Sequence, residues 1–120
     1  MRLRIASFNV ENLDDRPDLE PSLDDRLRIL RPQLQRCDAD VVCLQEVHGQ
    51  GTGGGGRGLV ALDRLLEGTA YVDYARVSTT SRRRHGAQPR AADVHNLVVL
   101  SRLPIVSSKE IRHEIVPVIE

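Results

Sequence analysis

Two short runs end in groups that could do chemistry. Asp40-Val41-Val42-Cys43-Leu44-Gln45-Glu46-Val47 is apolar for most of its length and delivers a carboxylate, Glu46, near its C-terminal end. The earlier run Arg4-Ile5-Ala6-Ser7-Phe8-Asn9-Val10-Glu11-Asn12 also ends in polar groups, including a second carboxylate. Strand ends bearing Asn and Glu are where an α/β protein places a site. Carboxylate oxygens are hard donors. They suit Mg²⁺, which keeps several of its waters and so needs only one or two of them. A cation held there would neutralise charge on phosphoryl oxygens.

Such groups need elements to position them. Leu3 to Val10 alternates and is rich in β-formers, which predicts strand one. Asp14 to Pro21 is acidic, carries two prolines and reads as a loop. Ser22 opens a helix, with Asp25 three residues on in a capping-box-like spacing. Leu23, Leu27, Leu30 and Leu34 recur at helical intervals and give one apolar face. Pro32 lacks a backbone donor and predicts a kink near Arg31, because the apolar face resumes at Leu34. Val41 to Val47 is strand two. Gly51 to Gly58 predicts a flexible loop. Leu59, Leu62, Leu65 and Leu66 mark a short second helix ending at Gly68. Tyr71 to Val77 reads as strand three, Ser78 to Asp93 as a long basic loop, and Val94 to Leu100 as strand four. Pro104 ends that strand.

The order β-α-β-α-β-β suits an α/β layer with helices on one face of a sheet. Val41 to Leu44 and Leu97 to Leu100 run without alternation, which indicates strands covered on both faces. Two short helices cover only one. The other face needs cover from elsewhere.

Composition narrows the field. A chain of 120 residues holds one ordinary core. Seventeen basic and seventeen acidic residues balance, so the whole surface is not steered toward a polyanion or a membrane. One Phe, two Tyr and no Trp argue against stacking bases on aromatic platforms. Cys37 and Cys43 make no disulfide framework and read as reduced thiols. The first residues lack the apolar stretch of a signal peptide, and no run is long enough to span a bilayer. A cytoplasmic protein is expected.

The two opening runs together resemble the first motifs of the endonuclease/exonuclease/phosphatase family, the metal-dependent phosphoesterases that include deoxyribonuclease I and exonuclease III. Asn96-Leu97-Val98-Val99-Leu100-Ser101-Arg102-Leu103-Pro104-Ile105 resembles the family's "LSR-x-PI" strand. The resemblance implies an α/β fold, the N-terminal half of a four-layer αββα sandwich, over most of residues 1–120. It implies Mg²⁺ (or Mn²⁺) as cofactor and a phosphoester substrate, possibly a nucleic acid. Glu46 matches the "LQE" glutamate and is the implied principal metal ligand. Glu11 matches a secondary acidic position. Asn9 matches the N-terminal asparagine, whose amide would hold Glu46 or touch a phosphate oxygen; Asn9 and Glu46 are therefore the catalytic candidates. The family's Asp-x-Asn and Ser-Asp-His motifs do not occur in these 120 residues. The chain alone is accordingly expected to be inactive.

Other features have bland readings beside sharp ones. Gly51-Thr52-Gly53-Gly54-Gly55-Gly56 fits G-x-G-x-x-G between a strand and a helix, a dinucleotide fingerprint. So glycine-rich a run matches by composition alone, and five residues from Glu46 to Gln50 intervene, so a surface loop is the better reading. The Arg82-Arg83-Arg84-His85 cluster could contact phosphates, with Arg84 the candidate, although short charge runs are usually just solvated. Asn96, near the edge of the expected cleft, is a candidate for substrate contact. Arg102 reads as structural. His48, His85, His95 and His113 share no ligand spacing. The rival to an enzyme is a binding or scaffold module that uses the uncovered sheet face, including for self-association.

Overall fold

In the computed structural model the described residues are 1–51, 53, 56–80, 92 and 94–111. Six strands are seen among them: β1 (Ile5–Leu13), β2 (Val41–His48), β3 (Gln50–Gly51), β4 (Arg57–Gly58), β5 (Ala75–Ser78) and β6 (His95–Ser101). Helices α1 (Leu23–Cys37) and α2 (Val60–Leu66) and a 3₁₀ turn at Ala70–Asp73 complete the order. The main sheet runs β1-β2-β6-β5. β1 and β2 are parallel, and β6 is antiparallel to both its neighbours. The fold is α/β, as expected.

Helix α1 starts where its cap dictates. Ser22 Oγ accepts from Asp25 N at 3.2 Å, which satisfies one of the first-turn donors. Leu23, Leu27 and Leu34 are buried, with Leu30 packed beside them. The helix continues through Pro32 and ends at Asp38, in the left-handed conformation. Pro32 is exposed, so the missing donor disturbs only the solvent side. Arg31 of α1 donates to Leu65 O (3.1 Å) and Arg64 O (2.6 Å), which gives partners to carbonyls at the C-terminal end of α2.

Two expectations change. Tyr71 to Asp73 lies in the 3₁₀ turn, and the strand begins only at Ala75. The cause is Tyr71, whose buried hydroxyl donates to Leu34 O (2.9 Å) and accepts from Ala39 N (3.1 Å). Burial raises its pKa above the ordinary phenol value. The glycine-rich segment, read as a loop, carries the short antiparallel ladder of β3 and β4.

The core lies on the helix side of the sheet. Val10, Leu13, Val42, Leu44, Val47, Val98 and Leu100 face α1 and α2 and are almost fully buried. The opposite face carries Ile5 (64% exposed) and Leu97 (57%), with Val41, Cys43, Val77 and Val99 half-buried. Residues 108–111 frame a groove of about 510 Å³ there with Val77, Leu97 and Val99. Among the described residues the continuous apolar runs thus have a helix layer on one side and a largely open face on the other. Both cysteines are free thiols. No described helix is long and apolar enough to cross a membrane.

The far end of the sheet is closed by charge. Asp40 accepts from Arg4 N (2.8 Å) and from Arg102 Nε (2.7 Å). The Arg4 amide, and after it the Arg102 guanidinium, hold the Asp40 carboxyl below its ordinary pKa. Arg102 is structural, as the sequence suggests.

Tyr71→Phe would leave Leu34 O and Ala39 N unpaired in the core. A loss of about 1–3 kcal/mol in urea denaturation is expected. A change under about 0.5 kcal/mol would show that water replaces the hydroxyl without cost.

Candidate functional site

β1 and β2 are parallel, so their C-terminal ends lie at one sheet edge. β6 runs the other way and brings His95 and Asn96 to that same edge. Asn9, Glu11, Glu46, His48, His95 and Asn96 are therefore gathered there, far from the Asp40 clamp.

Pleat alternation alone would turn Glu46 and Asn12 toward the core. Side chains on a strand alternate between faces. In β2, however, Leu44 and Val47 are both in the core, while Gln45 is half-buried and Glu46 exposed. Between the pairs Leu44↔Val98 and Val47↔Asn96, two β2 residues oppose one of β6. This is a bulge, and Glu46 takes it up with φ of +59°. β1 does the same on a larger scale. Val10 and Leu13 are core, Glu11 and Asn12 between them are exposed, and both have φ of +49°. Three β1 residues there face one of β2. Left-handed backbone at a residue with a side chain costs about 1–2 kcal/mol. Strain of this kind clusters at functional sites.

Local partners hold both bulges. Asn9 Oδ1 accepts from Glu11 N at 2.8 Å and closes the first turn. Its amide nitrogen has no partner among the described residues and remains a free donor. Asn96 is buried, and its Nδ2 donates to Val47 O at 3.1 Å, directly after Glu46. Its side chain therefore braces the bulge from within. Arg84 lies outside the described residues.

The sequence of types and spacings has a family counterpart. A sequence model of the Endonuclease/Exonuclease/phosphatase family matches residues 6–115. The chain belongs to the endonuclease/exonuclease/phosphatase family. No curated protein and no solved structure gives a significant match to it. Within this family of nucleases and phosphatases, the matched region spans both bulges and the β6 strand.

Sequence reasoning missed a polar cluster behind this edge. Asp14, in a stretch read as an acidic loop, is buried. Its Oδ1 accepts from Asp15 N (2.9 Å) and Gln50 Nε2 (3.1 Å), and its Oδ2 pairs with Arg16 Nε (3.0 Å). Burial alone would raise its pKa, but the bonds from Gln50 and Asp15 and the charges of His48 and Arg16 outweigh this and lower it. Gln50, also buried, donates to His48 O (2.7 Å) and accepts from Ala61 N (3.0 Å). One amide thus ties the exits of β1 and β2 to the start of α2. His48 Nδ1 lies 3.5 Å from Asp14 Oδ1, and its ring meets His95 edge-on at 5.2 Å. No spacing rule could have announced these contacts, because they depend on where the bulged strands exit.

Among the described residues, no group of three or more His, Cys, Asp or Glu is arranged to hold a metal ion. Glu11 and Glu46 are exposed, and neither carboxylate has an ion-pair or hydrogen-bond partner among the described residues.

The left-handed reading of position 46 is testable by itself. Glu46→Gly should be more stable than Glu46→Ala by about 1 kcal/mol, because only glycine adopts this backbone without strain. Equal stability of the two variants in urea would show that residue 46 is not left-handed in solution.

Proposed function

We propose that this edge is the cation-binding part of a Mg²⁺- or Mn²⁺-dependent phosphoesterase that hydrolyses phosphodiester or phosphomonoester bonds. The observation that supports it is the strained exposure of Glu46 beside the Asn9–Glu11 turn. Two unpaired carboxylates fit Mg²⁺, which accepts one or two and retains water, although they would not fit a cation needing an all-protein cage. When bound, the cation supplies charge neutralisation at the phosphoryl oxygens. Glu46 is its principal ligand, and Glu11 contributes through a water. Asn9 keeps its amide nitrogen free to donate to Glu46 or to a phosphate oxygen. The substrate is a phosphoester, a nucleic acid being one member of that class.

The family's Asp-x-Asn and Ser-Asp-His motifs do not occur in residues 1–120, so this chain on its own is expected to bind the cation without turnover. Titration of Mn²⁺, followed by its electron spin resonance, should show weak binding that Glu46→Gln reduces tenfold or more. Binding that ignores this substitution would sink the proposal. Hydrolysis of a phosphodiester by the 120-residue chain, lost in Glu46→Gln, would overturn its inactivity.

The open sheet face supports a second reading, a docking module. Four strands spaced about 4.8 Å apart and about seven residues long on average give a footprint of roughly 450 Å². A stable dimer needs about 800 Å² per partner. Self-association through this face is therefore disfavoured against cover by the second sheet of a sandwich. Light scattering should report a monomer; a tight dimer would favour the docking module. The dinucleotide alternative is disfavoured, because the glycine run starts in β3, and β4, which pairs back with β3, lies between the run and α2.

A further inference from the structure

The β1 bulge poses a backbone problem. With three residues facing one, its carbonyls cannot all join the ladder to β2. Buried or half-buried carbonyls without partners are costly. One side chain resolves this. Arg26 Nη2 donates to Val10 O in a short contact, and Nη1 donates to Asn12 O at 3.3 Å. These two carbonyls flank Glu11 on either side.

Arg26 is well placed to act as a rigid support. It lies in the first turn of α1, with its own N–H bonded to Ser22 O at 3.0 Å. It stands between the buried residues Leu23 and Leu27 and is itself half-buried. Other arginines here have different duties. Arg28 pairs with Asp25, Arg64 with Asp24, and Arg76 with Asp63. Arg26 directs a planar fork at two carbonyls, a geometry that a lysine ammonium cannot reproduce.

We propose that Arg26 is a positioning residue for the candidate site. It fixes the left-handed Glu11–Asn12 turn and so sets the Glu11 carboxylate and the Asn9 amide against Glu46. This rests on the cation reading given above. Arg26 touches neither cation nor substrate; it acts through the backbone.

The test compares Arg26→Ala, Arg26→Lys and Glu46→Gln by Mn²⁺ titration and amide hydrogen exchange. Arg26→Ala should lose about tenfold in Mn²⁺ affinity, the usual effect of removing a group that orients a ligand. Millimolar guanidinium should restore part of it, and Arg26→Lys should fall between. The Glu11 amide, which donates to Asn9 Oδ1, should exchange faster in Arg26→Ala while the β2–β6 ladder stays protected. If Arg26→Ala does not fold, Arg26→Lys decides by the same readouts. Mn²⁺ affinity within twofold of the parent in the arginine variants, with loss in Glu46→Gln, would overturn this inference alone. Affinity unchanged in Glu46→Gln would overturn the cation reading and the inference with it.

Discussion

The period of two along a β-strand is the constraint on which this structure turns. A strand that packs one face on helices can expose only every second residue. A cation site asks for polar groups close together at a strand end. Both bulges answer this in the same way: two outward residues sit between two core residues, and at least one takes a left-handed backbone. Of the three such residues, Glu11 and Glu46 cost together about 2–4 kcal/mol, and Asn12, a type that visits this region more readily, costs less. The flanking side chains Val10, Leu13, Leu44 and Val47 are each at most 1% exposed. Burying each contributes about 1.5–3 kcal/mol. Anchoring on both sides therefore exceeds the strain, and the bulges persist.

The two ends of the sheet solve different problems. At the far end, Asp40 accepts from the Arg4 amide and the Arg102 guanidinium, and the Arg4 side chain pairs with Asp38. That end fixes register between β1, β2 and β6. At the site end, polarity is divided by depth. Behind the edge, Asn96, Gln50 and Asp14 are buried and bonded. In front, Glu11 and Glu46 are exposed and, among the described residues, unpaired. Rigid support thus lies under the carboxylates and leaves their oxygens accessible.

Much of the scaffold was legible in the residues. The leucine spacing and Ser22 gave α1, the apolar runs gave β2 and β6, and their unbroken character pointed to a face needing more cover than two helices provide. Glu46 stood out as a strand-end carboxylate. The bulges were also written there, as apolar-polar-polar-apolar at Val10 to Leu13 and Leu44 to Val47, a spacing of three that no regular strand supports. Reading β1 only as far as Val10 passed over it. Tyr71 was misplaced for a different reason. Its β-propensity is real, but the buried hydroxyl bridging Leu34 and Ala39 decides the backbone, and that partnership is tertiary. Asp14 was hidden likewise: nothing in an acidic stretch marks which carboxylate will be buried.

Asp14 and Glu46 show why burial and pairing matter more than residue type at such an edge. Both are carboxylates next to a core residue, Asp14 after Leu13 and Glu46 before Val47. Asp14 is surrounded by the donors of Asp15, Gln50 and Arg16, with His48 alongside. Its charge is already compensated, so a cation would have to displace those donors to reach it. Glu46 has no compensating group among the described residues and faces solvent. A Mg²⁺ ion that gives up waters reluctantly gains most from a carboxylate of the second kind. A neighbouring carboxylate such as Asp14 can then brace the fold without competing for the ion. With Glu46 as the proposed cation ligand, the sheet edge would separate structural from functional acid by depth, and the bulge at Glu46 would be what puts the functional one on the outside.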